Sequence, residues 1–302
     1  MHCAFSHSLL LFIAMLSNDI LSVDFRPQGA ELTSILHKAS GTEYLWQGDP
    51  AVWGWHAPNL FPVVGGCLNN QIVVGGVAYP MGRHGFARQS VFDLVEQTDT
   101  RALFVLTDSD ETRQSYPYRF EFAVEYTLEG NTLSVTYRVR NTDDKPVFFS
   151  VGAHPAFNVP FGPGEAYEDY WLEFDSDEPL TTHLLSKEGY FTGETQPITM
   201  QSNRLPLTKH LFDQDALVIK EGRSRAVSIR SKNHDRVLTV AFNEFPYVGL
   251  WAKPGAPFVC IEPWLGCADS VGEPVEFSQR EAIQQVAVGE VFEATFSIAS
   301  YS

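Results

Sequence analysis

The sequence predicts an all-β protein, a large antiparallel β-sandwich. Three observations carry that expectation: apolar and polar residues alternate with a period of two in several runs, Gly/Pro/Asn turn signals separate those runs, and no βαβ alternation or long amphipathic helix is present. Taken in chain order, the apolar run Leu9–Leu16 is too short for a transmembrane helix, which needs ~20 residues. Residues 1–8 hold no Lys or Arg, so the run lacks the basic region of a signal peptide. Residues 1–14 read as an upstream start-site extension, with a signal peptide over residues 1–16 as the less favoured alternative, and Met15-Leu16-Ser17-Asn18-Asp19 opens the folded part. Strand patterns follow at Ala102–Thr107 and at Phe120, Phe122, Val124, Tyr126 and Leu128. Glu129-Gly130-Asn131 then turns the chain into Leu133, Val135, Tyr137 and Val139, which reads as a hairpin. A short helical turn is expected near Leu207–Phe212, capped by Thr208. Further strands are expected at Ala226–Ile229, Val237–Phe242 and Val291–Ile298. No linker divides the chain, so residues 15–302 read as one domain.

The formal net charge is −16. Nucleic-acid binders need clustered Lys and Arg for phosphates, and anionic membrane surfaces attract basic segments, so neither partner is expected. The four cysteines, Cys3, Cys67, Cys260 and Cys267, show no zinc-finger spacing and read as buried or idle thiols. An acidic, cysteine-poor chain points to the cytoplasm.

The informative residues are polar ones that interrupt apolar segments. His84 and Arg88 lie in Arg83-His84-Gly85-Phe86-Ala87-Arg88, and His154 lies in Gly152-Ala153-His154-Pro155. Glu262 ends an apolar strand in Phe258-Val259-Cys260-Ile261-Glu262-Pro263-Trp264. A carboxylate buried there has its pKa pushed upward, which suits a general base. Each residue alone has a plainer explanation. The Glu can bond a loop backbone, the His can brace a turn, and the Arg can be a surface cation. Together with Phe157, Trp251 and Trp264 they describe an aromatic-walled polar pocket. A sugar fits such a pocket, because its apolar face stacks on rings while its hydroxyls need fixed partners. Other chemistries fit poorly: there is no GxGxxG or phosphate loop, no Gly-x-Ser-x-Gly elbow, and no HxH or HExxH to bring His84, His154 and Glu262 to a metal. No metal is expected.

Ordered along nearly the whole chain, these segments resemble the aldose 1-epimerases, galactose mutarotase-like proteins, and within them the LacX-like branch. The resemblance rests on Gly29-Ala30-Glu31-Leu32, Glu43-Tyr44-Leu45-Trp46-Gln47-Gly48-Asp49-Pro50, Ala57-Pro58-Asn59-Leu60-Phe61-Pro62 and His84-Gly85-Phe86-Ala87-Arg88. It continues in Gly152-Ala153-His154-Pro155-Ala156-Phe157-Asn158, Leu211-Phe212-Asp213-Gln214-Asp215-Ala216-Leu217 and Cys260-Ile261-Glu262-Pro263-Trp264. It implies the galactose mutarotase-like supersandwich, and interconversion of the α and β anomers of an aldohexose without cofactor. By motif position it implies Glu262 as general base and His154 as general acid. His84, Arg88, Asn158 and Trp264 would bind the substrate, with Asp215 as the sugar-binding carboxylate and Asp213 as its close rival.

One departure stands out. Much of the branch carries Arg in a Val-Gly-Arg segment after Phe-Pro, where this chain has Val64-Gly65-Gly66-Cys67. A missing cation counts against a hexose-6-phosphate epimerase, one alternative, unless Arg83 or Arg88 compensates. The other alternative is a non-catalytic sugar-binding protein.

Overall fold

The computed structural model describes residues 14–301. The extension expected at residues 1–14 lies outside the described residues but for its last residue. Almost every regular element is an antiparallel strand, and the helical pieces are three-residue 3-10 turns. The largest sheet has nine strands, with Val291–Tyr301 and the Phe120–Glu129/Thr132–Asn141 hairpin near its centre. In that hairpin Glu129 pairs Thr132, so Gly130-Asn131 make a two-residue turn, and Gly130 supplies the positive φ such a turn needs. Phe120, Phe122, Val124, Tyr126 and Leu128 face inward, as their alternation demands.

A second, six-stranded sheet packs on the inner face of the first. Its path runs Leu217–Ile219, Tyr247–Trp251, Phe258–Leu265, Val151–Ala153, Asn59–Leu60, and Ala156–Asn158 also pairs the Phe258–Leu265 strand. Phe61, next to that sheet's edge, stacks on Phe122 of the large sheet with ring centroids 4.4 Å apart. Asn59 bolts the layers together in the core. Its amide donates to Gly29 O (2.9 Å), Ala30 O (3.1 Å) and Tyr126 Oη (3.2 Å), and its oxygen accepts from Tyr137 Oη at 2.7 Å. A buried amide is tolerated because every polar atom has a partner.

The central strand of the smaller sheet matters most. All eight residues of Phe258–Leu265 are buried, so both of its faces are covered. Val259 and Ile261 point to one face, and Cys260, Glu262 and Trp264 to the other. The helical turn expected at Leu207–Phe212 is absent. Residues 209–214 form irregular turns, with Leu211 N donating to Thr208 O at 3.3 Å, so Thr208 contributes its carbonyl rather than a side-chain cap.

Candidate active site

Strand parity and two tight turns build the site. His154 lies in the short link between Val151–Ala153 and Ala156–Asn158, both of which pair with Phe258–Leu265. The register is the same on both sides of the link, Gly152 opposite Trp264 and Ala156 opposite Cys260, so the link runs beside that strand and sets His154 across from Glu262. Nε2 of His154 lies 3.3 Å from Oε2 of Glu262. Both residues are buried, at 9% and 2% exposure. The His154 backbone N–H is held by Pro58 O at 3.1 Å.

Burial drives the pair in opposite directions. It pushes the Glu262 carboxyl well above its ordinary range, and the nearby negative Asp215 adds to the push. It pulls His154 down to about 3, with Arg88 opposing its protonation further. A proton shared by the two therefore rests on the carboxyl. The indole N–H of Trp264 approaches Glu262 and opposes the rise, but falls short of good hydrogen-bond geometry.

His84 is the second histidine of the site, its ring 5.7 Å from that of His154, edge to face. Its backbone is left-handed, φ 66°, a sparsely used conformation for a side chain of this size. Two contacts with Gly65 hold it there: His84 N donates to Gly65 O at 2.9 Å, and Gly65 N donates to His84 Nδ1 at 3.1 Å. With Nδ1 an acceptor, the ring proton sits on Nε2, which is left free to donate. Burial, with positive charge from Arg88 and Arg83, pushes this imidazole well below its ordinary value and keeps the ring neutral. The next residue, Gly85, has φ 69°, and a Cβ there would lie 2.2 Å from Phe61 O, so only glycine fits the turn.

Arg88 donates from Nη2 to Arg83 O at 3.0 Å and lies over the Trp55 ring at 5.2 Å, its buried Nε unpartnered. Of the two acidic candidates on the turn before Leu217–Ile219, Asp215 (φ 79°) is half-buried and its charge reaches Glu262. Asp213 is exposed and pairs with His210 Nδ1 at 2.8 Å.

The aromatic wall differs from the sequence expectation. Phe157 pairs with Val259, so it points to the face opposite Glu262 and lies wholly in the core. Its place is taken by Trp53, stacked on His154 at 5.1 Å, with Trp251 edge-on to the same ring at 5.8 Å. Asp49 shapes the loop that presents Trp53: its side chain accepts from Ala51 N (2.9 Å) and its carbonyl from Trp53 N (2.7 Å). Asn158 shares the Glu262 face by parity, but its amide donors are spent on Glu43 O and Leu45 O, both at 2.9 Å. It fastens the neighbouring strand and has no donor left for a ligand. Trp264 lies between two glycines of flanking strands. A Cβ on Gly152 would come within 2.7 Å of its ring, and one on Gly249 within 2.6 Å.

Gly66 also has a physical explanation. A Cβ there would sit 3.0 Å from Tyr190 Cε1, and Tyr190 Oη donates to Cys67 O at 3.1 Å. The tyrosine ring fills the space into which a longer residue would start. Arg83 donates to Glu188 O at 2.5 Å and so braces the same turn.

The structure also gathers a donor set that the sequence analysis missed. Ligand atoms of His154, Cys260 and Glu262 all lie within 4.8 Å of one another. Cys260 and Glu262 are two apart on one strand and so share a face, a signal present in the sequence. What no pattern shows is that His154 stands across from Glu262 on the neighbouring strand edge. Cys67, Cys260 and Cys267 are free and buried.

Three of these histidines respond to acid alike. Burial lowers His56 to about 4, with Arg26 opposing protonation, and His154 and His84 are depressed as described. Below the ordinary imidazole value of 6.5 the unfolded chain binds protons that the native state refuses. The three histidines therefore contribute a loss of stability as pH drops from 6.5 toward 4, which the raised carboxyls of Glu262, Glu31 and Glu43 oppose by holding protons in the native state. Urea titrations of the parent and of a His56→Asn variant at stepped pH isolate one histidine's share; a variant whose stability falls as steeply as the parent's across that window would contradict it.

The site thus joins a buried carboxyl and a buried histidine beside aromatic rings, inside a two-layer β-sandwich. Comparison with known proteins assigns the family. The Aldose 1-epimerase family profile matches residues 13–280, and the chain belongs to that family. It is 36% identical over 272 residues to Protein LacX of Lactococcus lactis subsp. lactis, covering 85% of this chain and 89% of that one. Among solved structures, a galactose mutarotase related enzyme from Lactobacillus acidophilus superposes with a TM-score of 0.90 at 32% identity, covering 96% of this chain and 97% of the other. A galactose mutarotase-like protein from Lactobacillus casei ATCC 334 gives 0.90 at 31%, covering 96% and 100%. Among the described residues no helix is long and apolar enough to cross a membrane.

Proposed function

We propose that this protein is an aldose 1-epimerase acting on a free aldohexose, and that Glu262 and His154 exchange protons with the substrate. The observation that carries the reading is the 3.3 Å contact between two oppositely perturbed, buried groups. Anomer exchange needs one proton removed from the C1 hydroxyl and one delivered to the ring oxygen. Hydroxyls of a bound sugar donate to the carboxylate form of Glu262, and so move the shared proton onto His154. Glu262 then takes the C1 proton while His154 protonates the ring oxygen, and the C1–O5 bond opens. After rotation about C1–C2 the aldehyde closes on its other face, and the two groups return their protons. No electrons are transferred and no group is carried, so the chemistry calls for no redox cofactor or carrier. Nε2–H of His84 and the guanidinium of Arg88 hold the ring oxygen and hydroxyls, Asp215 accepts from a hydroxyl, and Trp53, Trp251 and Trp264 supply the stacking wall.

A free sugar is favoured over its 6-phosphate by the two cationic positions already described. Gly66 offers no cation, with the Tyr190 ring 3.0 Å from where its Cβ would start, and Arg83 is engaged with Glu188 O.

Polarimetry of freshly dissolved α-D-glucose and α-D-galactose, with their 6-phosphates alongside, tests the reading. Faster mutarotation of a free sugar is expected. Sugar binding without acceleration would support a non-catalytic role instead. The pH profile is a second test. One proton stays on the pair from His154's depressed value up to Glu262's raised one. The kcat/KM plateau is therefore expected to pass through pH 6.5 without a step, and to decline on the alkaline side. A step at 6.5 would mean an ordinary, solvated histidine sets the rate.

A further inference from the structure

We propose that His154, Cys260 and Glu262 form a binding site for a thiophilic divalent cation such as Zn2+, and that the ion inhibits by occupying the acid–base pair. The nitrogen, sulfur and oxygen donors of the three lie within 4.8 Å of one another, and all three side chains are buried. Four-coordinate zinc holds N, O and S donors at about 2.0–2.3 Å, which places neighbouring donors roughly 3.3–3.8 Å apart. The His154–Glu262 separation of 3.3 Å already meets that spacing. Only a rotamer-scale contraction is needed to bring in the thiolate. The backbone is suited to it: Cys260 and Glu262 stand on one face of a fully buried strand, and Trp53 stacked on His154 steadies the imidazole.

Charge favours the same occupant. As the metal–ligand bonds form, the thiol proton of Cys260 and the proton held on the Glu262 carboxyl both leave to solvent. One thiolate, one carboxylate and a neutral imidazole then balance a divalent ion to zero net charge. A neutral cluster is the form that a buried site tolerates best. Soft thiolate and borderline imidazole donors select zinc or cobalt over magnesium or calcium. Three protein ligands leave a fourth position open toward the pocket for water or a sugar hydroxyl. The competition with sugar rests on the function proposed above; the binding of the ion does not.

The test is a titration of the full chain, kept reduced, with Co2+ and then Zn2+. One equivalent of Co2+ is expected to raise a thiolate-to-cobalt charge-transfer band, which Zn2+ abolishes. Cys260→Ser is expected to lose the band, to keep the parental mutarotation rate, and to be at least tenfold less sensitive to Zn2+. Cys260→Ala serves if the serine variant misfolds by circular dichroism. No charge-transfer band, a band that survives in both folded variants, or unchanged Zn2+ inhibition in them would each overturn the site. A cobalt band in a protein that accelerates no mutarotation would leave the metal site standing and sink the proposed reaction instead.

Discussion

Glu262→Gln is expected to lower kcat for mutarotation by about 10²- to 10⁴-fold while leaving the protein as stable as the parent, or more so. The kinetic loss is the range that one proton transfer contributes. The stability gain follows from the direction of the carboxyl's shift. Its folded pKa is raised above the ordinary 4.5 by burial and by Asp215. From pH 4.5 up to that raised value the native state keeps a proton that the unfolded chain releases, so parental stability declines as pH rises. Glutamine carries no such charge, and the variant's advantage should widen between mildly acidic and mildly alkaline pH. His154→Asn is expected to cost a similar factor. The double variant should be little worse than either single one, because the two groups act as a unit. Stopped polarimetric time courses and urea unfolding at stepped pH provide the readouts. A Gln variant with near-parental kcat would remove Glu262 from the chemistry. Independent, multiplying losses would show that the pair does not share a proton.

The second large effect is expected away from the titrating groups. Gly249→Ala should reduce kcat/KM by about 10²-fold, the loss that a misplacement of about 1 Å can cause. A Cβ at Gly249 would lie 2.6 Å from two atoms of the Trp264 ring, closer than real contacts allow. The ring has little room to retreat, because it is 6% exposed and packed in a buried cluster with Leu60, Val64 and Val218. It must tilt, and it stands two residues from Glu262 on the same face. Overpacking of this kind costs about 1–3 kcal/mol of stability, so the variant should still fold. Gly152→Ala, pressing from the other side, should shift the same indole. Tryptophan fluorescence and KM measured together separate a moved wall from a damaged fold. A Gly249→Ala enzyme with parental KM would mean that Trp264 is not a wall of the sugar site.

The value of the glycines is visible only in the fold, and the same holds for much of the site. Alternation in Phe120–Glu129 and Thr132–Asn141 was legible because one face of that sheet is buried and the period is two. Glu262 and His154 stood out because charge and imidazole are costly inside apolar runs, and the fold does bring them into contact. Phe157 was misplaced for want of a parity reference. A three-residue strand shows no alternation, and only its pairing with Val259 reveals which way the ring points. Trp53 was missed because it lies in an irregular loop shaped by Asp49, where no period exists to read. Asn158 looked like a ligand-binding amide until the carbonyls of Glu43 and Leu45 used up its donors.

By itself, then, the sequence determined the β class, the hairpin register and the polar residues that interrupt the core, because local periodicity and the cost of burying charge are written residue by residue. The tertiary structure alone decided which faces those residues share. It set Trp53 against His154, chose Asp215 over Asp213 beside Glu262, filled the space above Gly66 with Tyr190, and brought Cys260 within reach of the acid–base pair. Each of those choices depends on contacts between segments far apart in the chain, and such contacts are set by packing of the whole sandwich rather than by any local pattern.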